Sequence, residues 1–314
     1  MVKIAFVFPG QGSQFVGMGR QFYDTVPEAR KMYEDAAKVI GVDIASICFN
    51  GPEETLKLTE NTQPALLIHS IIALKRLREN GIDCVLAAGH SLGEYSALVA
   101  AGALDFLDAV RLVRLRGQFM QEAVPVGVGG MAAIIGLPLE KIQELCDRIS
   151  TDQRVVRPAN LNSAEQVVIA GHKDAVEAVS EESKSAGAKR ALLLPVSAPF
   201  HCSLMKPAEI KLQVELERTE FRDLSFPVIT NIEAKPITLG IQAREALIKQ
   251  VCSPVRWSET MQVISDQGIK TVVELGSGKV LSGLIRRFNK DIICYQVEDG
   301  ESLSRTVAEL KNVS

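Results

Sequence analysis

The chain has 314 residues, 46% of them hydrophobic and 23% charged, which is enough material for one large domain or a large and a small one. The net charge of −3 and the lack of long runs of like charge argue against a nucleic-acid binder, because such proteins neutralise phosphates with clustered Lys and Arg. No apolar stretch reaches the roughly 20 residues that span a bilayer. We expect a soluble protein without a signal peptide that binds neither nucleic acid nor membrane.

The six cysteines are scattered along the chain and form no CxxC pair. This spacing favours reduced thiols over a disulfide framework or a zinc site. It indicates a cytoplasmic protein without a bound metal, and a monomer is the default expectation.

The first predicted strand is the apolar run KIAFVF at 3–8, which ends in the glycine-rich loop PGQGSQ. Helical patterns follow at 27–40 and 63–80. A second buried strand, CVLAAGHS at 84–91, leads into a helix that begins directly after Ser91, and another helix is predicted from about 105 to 123. This order of strand, sharp turn and helix is typical of an α/β layer architecture with a parallel sheet.

Between about 130 and 196 the pattern changes to strand, helix, two strands, helix and strand. This β-α-β-β-α-β order predicts an inserted ferredoxin-like subdomain, which we assign to residues 127–198. Residues 1–126 and 199–314 would form the large domain, and KTVVELGSG at 270–278 is predicted to be another of its strands.

The segment Gly89-His90-Ser91-Leu92-Gly93 has the G-x-S-x-G pattern. A serine on a tight turn between a strand and a helix exposes its Oγ, and the start of the helix offers free N–H groups. The pattern therefore predicts a nucleophilic Ser91. The alternative is a tight turn in which the serine only caps the helix.

A serine nucleophile needs a base, and the chain has only four histidines. His69 lies in an apolar helix and is predicted to be a core residue. His90 is next to the serine in sequence, so the turn points it elsewhere, and we expect it to have an orienting or packing role. His172 is predicted to be an exposed residue at the start of a helix. His201 follows a proline-containing turn that re-enters the large domain, which leaves it as the best candidate. The Asp residues between Ser91 and His201 are predicted to lie at a helix start (Asp105, Asp108) or in the insert (Asp147, Asp152, Asp174), so none is identified as the acid of a Ser…Asp…His triad. We therefore expect a dyad oriented by a backbone carbonyl or an amide.

Arg116 projects from the apolar side of the predicted helix at 105–123, whereas Arg111 and Arg114 fall on the other side and are predicted to be solvated. A buried guanidinium is costly without an anionic partner. The functional interpretation is a clamp for a substrate carboxylate, and the alternative is a buried ion pair.

The loop PGQGSQ has neither a full G-x-G-x-x-G pattern nor a Walker lysine, so a nucleotide site is not favoured. A loop at this edge of a sheet can instead offer a backbone N–H as one half of an oxyanion hole. The N–H of Leu92 would be the other half.

Several motifs occur together in family order: PGQGSQ, NTQPAL, GHSLGEYSAL, RLRGQFMQ with Arg116, GGMAAIIG, NLNS, PFH with His201, and SPVRW. Over nearly its whole length the chain resembles the malonyl-CoA:acyl carrier protein transacylases of fatty-acid synthesis. The resemblance implies an α/β-hydrolase-like large domain with a ferredoxin-like insert. It also implies transfer of a malonyl group from malonyl-CoA to the phosphopantetheine thiol of acyl carrier protein, without a cofactor.

The resemblance also implies roles for individual residues. Ser91 would be the nucleophile, His201 the base, and Arg116 the group that binds the malonyl carboxylate. The backbone N–H groups of Gln11 and Leu92 would form the oxyanion hole.

Further family positions lie outside this central group. The backbone carbonyl of Gln250 would orient the histidine, and Phe200 would leave little room for an α-methyl group. Gln63, Asn160 and Asn162 match amides near the site.

The acyl carrier protein is expected to be acidic and to dock on basic surface near the site. The candidates are Lys189, Arg190, Arg286 and Arg287, and the alternative for all four is solvated surface charge. Other functions stay open: a serine esterase or thioesterase, a noncatalytic module that binds CoA or the carrier, and an acyltransferase that serves a polyketide synthase.

Overall fold

The computed structural model describes residues 2–125, 127–196 and 198–313. Its strands are β1 (Ile4–Phe8), β2 (Leu86–Gly89), β3 (Gly129–Ile135), β4 (Val156–Ser163), β5 (Gln166–His172), β6 (Arg190–Leu193), β7 (Val228–Ile229), β8 (Pro236–Ile237), β9 (Thr271–Leu275) and β10 (Ile293–Val297). Its helices are α1 (Arg20–Thr25), α2 (Pro27–Ile40), α3 (Ile44–Asn50), α4 (Glu53–Lys57), α5 (Thr59–Arg78), α6 (Leu92–Ala100), α7 (Phe106–Glu122), α8 (Leu139–Ile149), α9 (Lys173–Ser185), α10 (Lys206–Glu217), α11 (Gly240–Gln250), α12 (Trp257–Asp266), α13 (Val280–Phe288) and α14 (Gly300–Val313). None of the helices in these ranges is long and apolar enough to cross a membrane.

The large sheet has the strand order β10-β9-β1-β2-β7-β8, and all its neighbouring strands are parallel except β7 and β8. Every residue of β1 is buried because helices cover both faces of the sheet, which explains why its sequence is an unbroken apolar run. The predictions of a parallel sheet and of strands at 3–8, 84–91 and 270–278 are confirmed.

The small sheet has the order β4-β5-β3-β6 with antiparallel neighbours throughout, and α8 and α9 connect its strands. This arrangement confirms the ferredoxin-like subdomain. The limits 127–198 stay a prediction. Met1, Val126, Ser197 and Ser314, which lie at or near the proposed domain limits, fall outside the described residues.

Backbone hydrogen bonds join the small sheet to the large domain. The N–H of Leu161 in β4 donates to the carbonyl of Val255 at 2.8 Å, and the N–H of Val255 donates to the carbonyl of Ala159 at 2.9 Å. These bonds hold β4 beside the loop that precedes α12. They place the amides of β4 next to the carboxyl ends of the large sheet.

The carboxyl ends of β1 and β2 meet at one edge of the large sheet, where Phe8 pairs with Gly89. The N–H of His90 donates to the carbonyl of Phe8 at 3.0 Å. A Cβ atom on Gly10 would lie 2.4 Å from the carbonyl oxygen of His90, so only glycine allows the two loops to come this close. The glycine-rich loop and the serine turn therefore form one continuous surface.

Candidate active site

Ser91 lies on a strained turn between β2 and α6. Its φ is 52° and its ψ is −103°, a conformation that non-glycine residues rarely adopt. Its N–H donates to Oδ1 of Asn231 at 2.7 Å, which holds the turn in place. The side chain of Ser91 makes no capping hydrogen bond to α6, so the alternative of a capping serine is not supported. Its Oγ is available for other contacts.

His201 contacts the serine directly, since its Nε2 lies 2.8 Å from Oγ of Ser91. Its Nδ1 lies 3.0 Å from the carbonyl oxygen of Gln250 and 3.1 Å from that of Ser253. Because carbonyl oxygens only accept, Nδ1 carries the proton and Nε2 is free to accept the proton of the serine hydroxyl. Burial and the nearby Arg116 guanidinium lower the pKa of His201 to about 3, so the ring is neutral.

None of the other three histidines forms a hydrogen bond with the side chain of Ser91. His69 is a buried core residue, and neither of its ring nitrogens has a hydrogen-bond partner among the described residues. Nε2 of His90 lies 2.9 Å from Oδ1 of Asn162. His172 starts α9 as expected, since it is the N-cap residue of that helix, but it is half-buried rather than exposed. Its Nδ1 accepts from the N–H of Val155 at 3.0 Å.

Arg116 is buried, as the pattern of α7 predicted, with 1% of its surface exposed. Its Nη1 donates to Oε1 of Gln63 at 2.7 Å, and its Nη2 donates to Oγ of Ser91 at 3.0 Å and to Oε1 of Gln250 at 2.9 Å. No carboxylate of the described residues forms an ion pair with it, so the buried ion pair is not supported. Its Nε has no partner within the same ranges.

The prediction that Arg111 and Arg114 are solvated is wrong for Arg114, whose side chain is 12% exposed, and holds in part for Arg111, whose side chain is 34% exposed. Arg111 donates to Glu215 at 2.6 Å and to Thr219 at 3.1 Å. Arg114 donates to the carbonyl of Glu60 at 2.9 Å. The helical wheel missed these contacts because α5 and α10 cover the face of α7 that would otherwise meet water.

Glu94 and Asn231 also belong to the site, and the sequence analysis missed both. Oε2 of Glu94 accepts from the N–H of Asn231 at 3.0 Å and from Nε2 of Gln250 at 2.8 Å. Nε2 of Gln250 also donates to the carbonyl of Ser91 at 3.0 Å. An available signal for Glu94 was a lone acidic residue in the otherwise apolar helix LGEYSALVA, three residues after the serine.

Burial raises the pKa of Glu94 to about 7, while its hydrogen bonds and the charge of Arg116 act in the opposite direction. Glu94 has 1% of its surface exposed, and no cationic side chain in the described part of the chain binds its carboxyl group directly. A buried carboxylate without a bound cation lowers the stability of the folded protein. A protein that keeps one therefore usually uses its charge or its hydrogen bonds.

A cavity of about 300 Å³ lies over Ser91 and is open on one side. It brings together most of the predicted site residues: its lining includes Gln11, Gln63, Leu92, Asn160, Asn162 and Phe200. The backbone N–H groups of Gln11 and Leu92 donate to no acceptor among the described residues, so both are free at the wall of the cavity.

The four basic residues predicted to bind the carrier lie in different places. Arg287 lines the cavity, whereas Nη2 of Arg286 donates to the carbonyl of Cys294 at 2.8 Å. Lys189 and Arg190 are exposed at the start of the edge strand β6 and do not line the cavity.

Comparisons with known proteins agree with this geometry. The model of the acyl transferase domain family matches residues 5–303 of the chain. A malonyl CoA-acyl carrier protein transacylase from Bacillus subtilis is 47% identical over 99% of this chain and 98% of that relative. One from Escherichia coli K12 is 50% identical over 91% of this chain and 93% of that relative.

Solved structures show the same likeness. The malonyl CoA-acyl carrier protein transacylase from Coxiella burnetii has a TM-score of 0.95 and 41% identity, with 98% of each chain covered. A malonyl-transacylase solved in complex with a type II PKS acyl-carrier protein has a TM-score of 0.94 and 46% identity, with 98% of this chain and 99% of that one covered.

Fold and site thus define an acyltransferase with a serine at the turn between strand and helix. The chain belongs to the acyl transferase domain family, and the relatives that it matches over nearly their whole lengths are malonyl CoA-acyl carrier protein transacylases.

Proposed function

We propose that the protein transfers the malonyl group of malonyl-CoA to the phosphopantetheine thiol of acyl carrier protein, through a malonyl ester on Ser91. The product supplies fatty-acid elongation. The observation that carries the proposal is the position of Oγ of Ser91, which lies 2.8 Å from the His201 imidazole and 3.0 Å from the Arg116 guanidinium. One group can activate the serine, and the other can bind a carboxylate beside it.

In the first half of the cycle, Nε2 of His201 takes the proton of the Ser91 hydroxyl as Oγ attacks the thioester carbon. The tetrahedral intermediate collapses, and CoA leaves as a thiol with that proton. In the second half the carrier thiol gives its proton to His201 and attacks the ester carbon, and the imidazole returns that proton to Oγ as the bond to Ser91 breaks. The Gln250 carbonyl keeps Nδ1 of the imidazole protonated and its ring oriented throughout.

The negative oxygen of each tetrahedral intermediate needs donors that are already in place. The free N–H groups of Gln11 and Leu92 are suited to this, and each would contribute roughly 3 kcal/mol to the transition state. The close approach of the Gly10 loop to His90 keeps these two backbone segments together.

Arg116 would bind the malonyl carboxylate and so select the acyl group. An acetyl group leaves the buried guanidinium without an anion, and sites of this kind reject the incomplete analogue by as much as roughly 10⁴-fold. Phe200 lines the same cavity and would restrict an α-methyl substituent, while Gln63, Asn160 and Asn162 would hold the acyl chain through their amides.

The carrier would reach the cavity across Arg287, with Lys189, Arg190 and Arg286 as more distant basic contacts for its acidic surface. The cycle needs no cofactor, since a serine, a base and an anion-binding group supply all its steps. We place the protein in the cytoplasm as a monomer.

A serine esterase would use the same turn but pass the acyl group to water. The buried Arg116 forms no direct ion pair with a carboxylate of the described residues, which favours a carboxylate-bearing acyl group. The apolar part of the cavity lining, such as Met131, Leu194 and Val196, favours the exclusion of water. A carrier from polyketide synthesis is the second candidate acceptor, because a similar malonyl-transacylase was solved with a type II PKS acyl-carrier protein.

The test is a transfer assay with labelled malonyl-CoA and purified carrier protein from each pathway. The proposal expects label on the fatty-acid carrier with wild-type protein and none with Ser91→Ala. Label released as free malonate at the same rate with and without carrier would instead show a hydrolase.

A further inference from the structure

Two buried groups of opposite charge lie on either side of one amide. Nη2 of Arg116 donates to Oε1 of Gln250 at 2.9 Å, and Nε2 of the same amide donates to Oε2 of Glu94 at 2.8 Å. Arg116 and Glu94 each have 1% of their surface exposed. The Gln250 side chain therefore lies between a buried guanidinium and a buried carboxyl group and forms a hydrogen bond with each.

This separation has a consequence for a bound carboxylate. A direct ion pair would occupy the Nη atoms of Arg116 and neutralise it before a substrate arrives. With the amide between them, Arg116 keeps donors for a ligand, but Glu94 still lies close enough to repel a second anion in this poorly solvated site.

We propose that Glu94 is a positioning residue that acts through Gln250 to limit how tightly Arg116 holds the acyl carboxylate. The inference rests on the proposed malonyl transfer. A transferase must release the malonyl group to a second thiol, and over-tight binding of the ground state lowers turnover. Glu94 thus sets a balance between capture of the malonyl group and its release.

The charge of Glu94 can be removed without losing its hydrogen bonds. The N–H of Asn231 and Nε2 of Gln250 both donate to the same oxygen, Oε2. The single carbonyl oxygen of a glutamine at this position can accept both. Glu94→Gln is therefore a test of the charge rather than of the contacts.

The experiment measures KM and kcat of wild-type and Glu94→Gln proteins with malonyl-CoA and with acetyl-CoA at about pH 8, where the Glu94 carboxyl group is mostly ionised. We expect the variant to lower KM for malonyl-CoA by about fivefold or more and to lower kcat as well, because one repelling charge is gone. KM for acetyl-CoA should stay within about twofold, since that substrate carries no carboxylate at this end. A purely structural role would raise both KM values together.

A control variant and a second measurement accompany the experiment. Glu215→Gln removes a half-buried carboxylate that accepts from Arg111 on α7, and neither residue lines the cavity, so it should leave both KM values within about twofold. If Glu94→Gln does not fold, the wild-type protein carries the test: its KM for malonyl-CoA should fall between about pH 8 and about pH 6 as the Glu94 carboxyl group is protonated.

An unchanged or higher KM for malonyl-CoA in a folded, uncharged variant overturns the inference, provided that the wild-type protein transfers malonyl to the carrier. A wild-type protein that transfers no malonyl refutes the proposed function itself, so the two failures can be told apart.

Discussion

Nδ1 of His201 lies 3.0 Å from the backbone carbonyl oxygen of Gln250, where many serine enzymes place a carboxylate. The carbonyl orients the ring as an aspartate would, but it brings no negative charge. The imidazole is therefore buried beside the Arg116 guanidinium, and no anionic group of the described residues is bonded to it. Its pKa is lowered from 6.5 to about 3.

The first prediction concerns pH. The neutral imidazole is the active form, and a lowered pKa extends that form to lower pH. We expect kcat/KM for malonyl-CoA at about pH 5.5 to stay above about half of its value at about pH 8. A pH profile of initial rates checks this, and a loss of activity with a midpoint near the ordinary histidine pKa of about 6.5 would contradict it.

The second prediction concerns Arg116. Arg116→Ala should lower kcat/KM for malonyl-CoA by about 1,000-fold or more and leave acetyl transfer much less affected, because acetyl makes no use of the guanidinium. Arg111→Ala is a matched control on the same helix, since Arg111 pairs with Glu215 away from the serine. Equal loss of both activities in Arg116→Ala would show that the residue does not select the acyl group.

The third prediction concerns the stability cost of Glu94. Its pKa is about 7 in the folded protein against an ordinary value of 4.5, so the folded state binds a proton more tightly than the unfolded state. Wild-type stability should therefore fall as the pH rises from 4.5 to about 7. Glu94→Gln cannot titrate, so its stability relative to wild type should rise over the same window, by on the order of 3 kcal/mol.

Thermal unfolding of both proteins at about pH 5 and about pH 8 measures this difference. A gap between their Tm values that does not change with pH would mean that Glu94 does not keep its proton preferentially in the folded state. A Glu94 charge that lowers stability but affects KM for malonyl-CoA would be retained for function rather than for stability.

The sequence was informative where a residue's role depends on its immediate neighbours. Ser91 followed from two glycines between a strand and a helix, and Arg116 from the apolar side of one helix. The buried apolar strands β1, β2 and β9 and the order of strands and helices along the small subdomain were predictable for the same reason. His201 needed only the elimination of three other histidines.

Contacts between distant segments were not predictable in this way. Asn231 holds the backbone of Ser91 from a position 140 residues further on, after a strand of two residues that is too short to show a period. The solvation of Arg114 was misjudged because a single helix does not reveal that its second face is covered. The link from Glu94 to Arg116 exists only through the folded position of Gln250.

The fourth prediction concerns the carrier surface. Arg287 lines the cavity, whereas Arg286 donates to the carbonyl of Cys294. Arg287→Glu should raise KM for the carrier protein by about fivefold or more with little change in KM for pantetheine, a short thiol without an acidic surface. Arg286→Glu is the neighbouring control and should have a smaller effect. Equal effects of the two reversals would show that the carrier does not approach across Arg287.

The malonyl ester on Ser91 is the central claim, and intact mass spectrometry tests it most directly. After incubation with malonyl-CoA, the wild-type protein should gain the mass of one malonyl group, keep it in buffer, and lose it when carrier protein is added. Ser91→Ala should gain nothing. A wild-type protein that gains no mass, or that loses the group to water as fast as to the carrier thiol, would contradict the account.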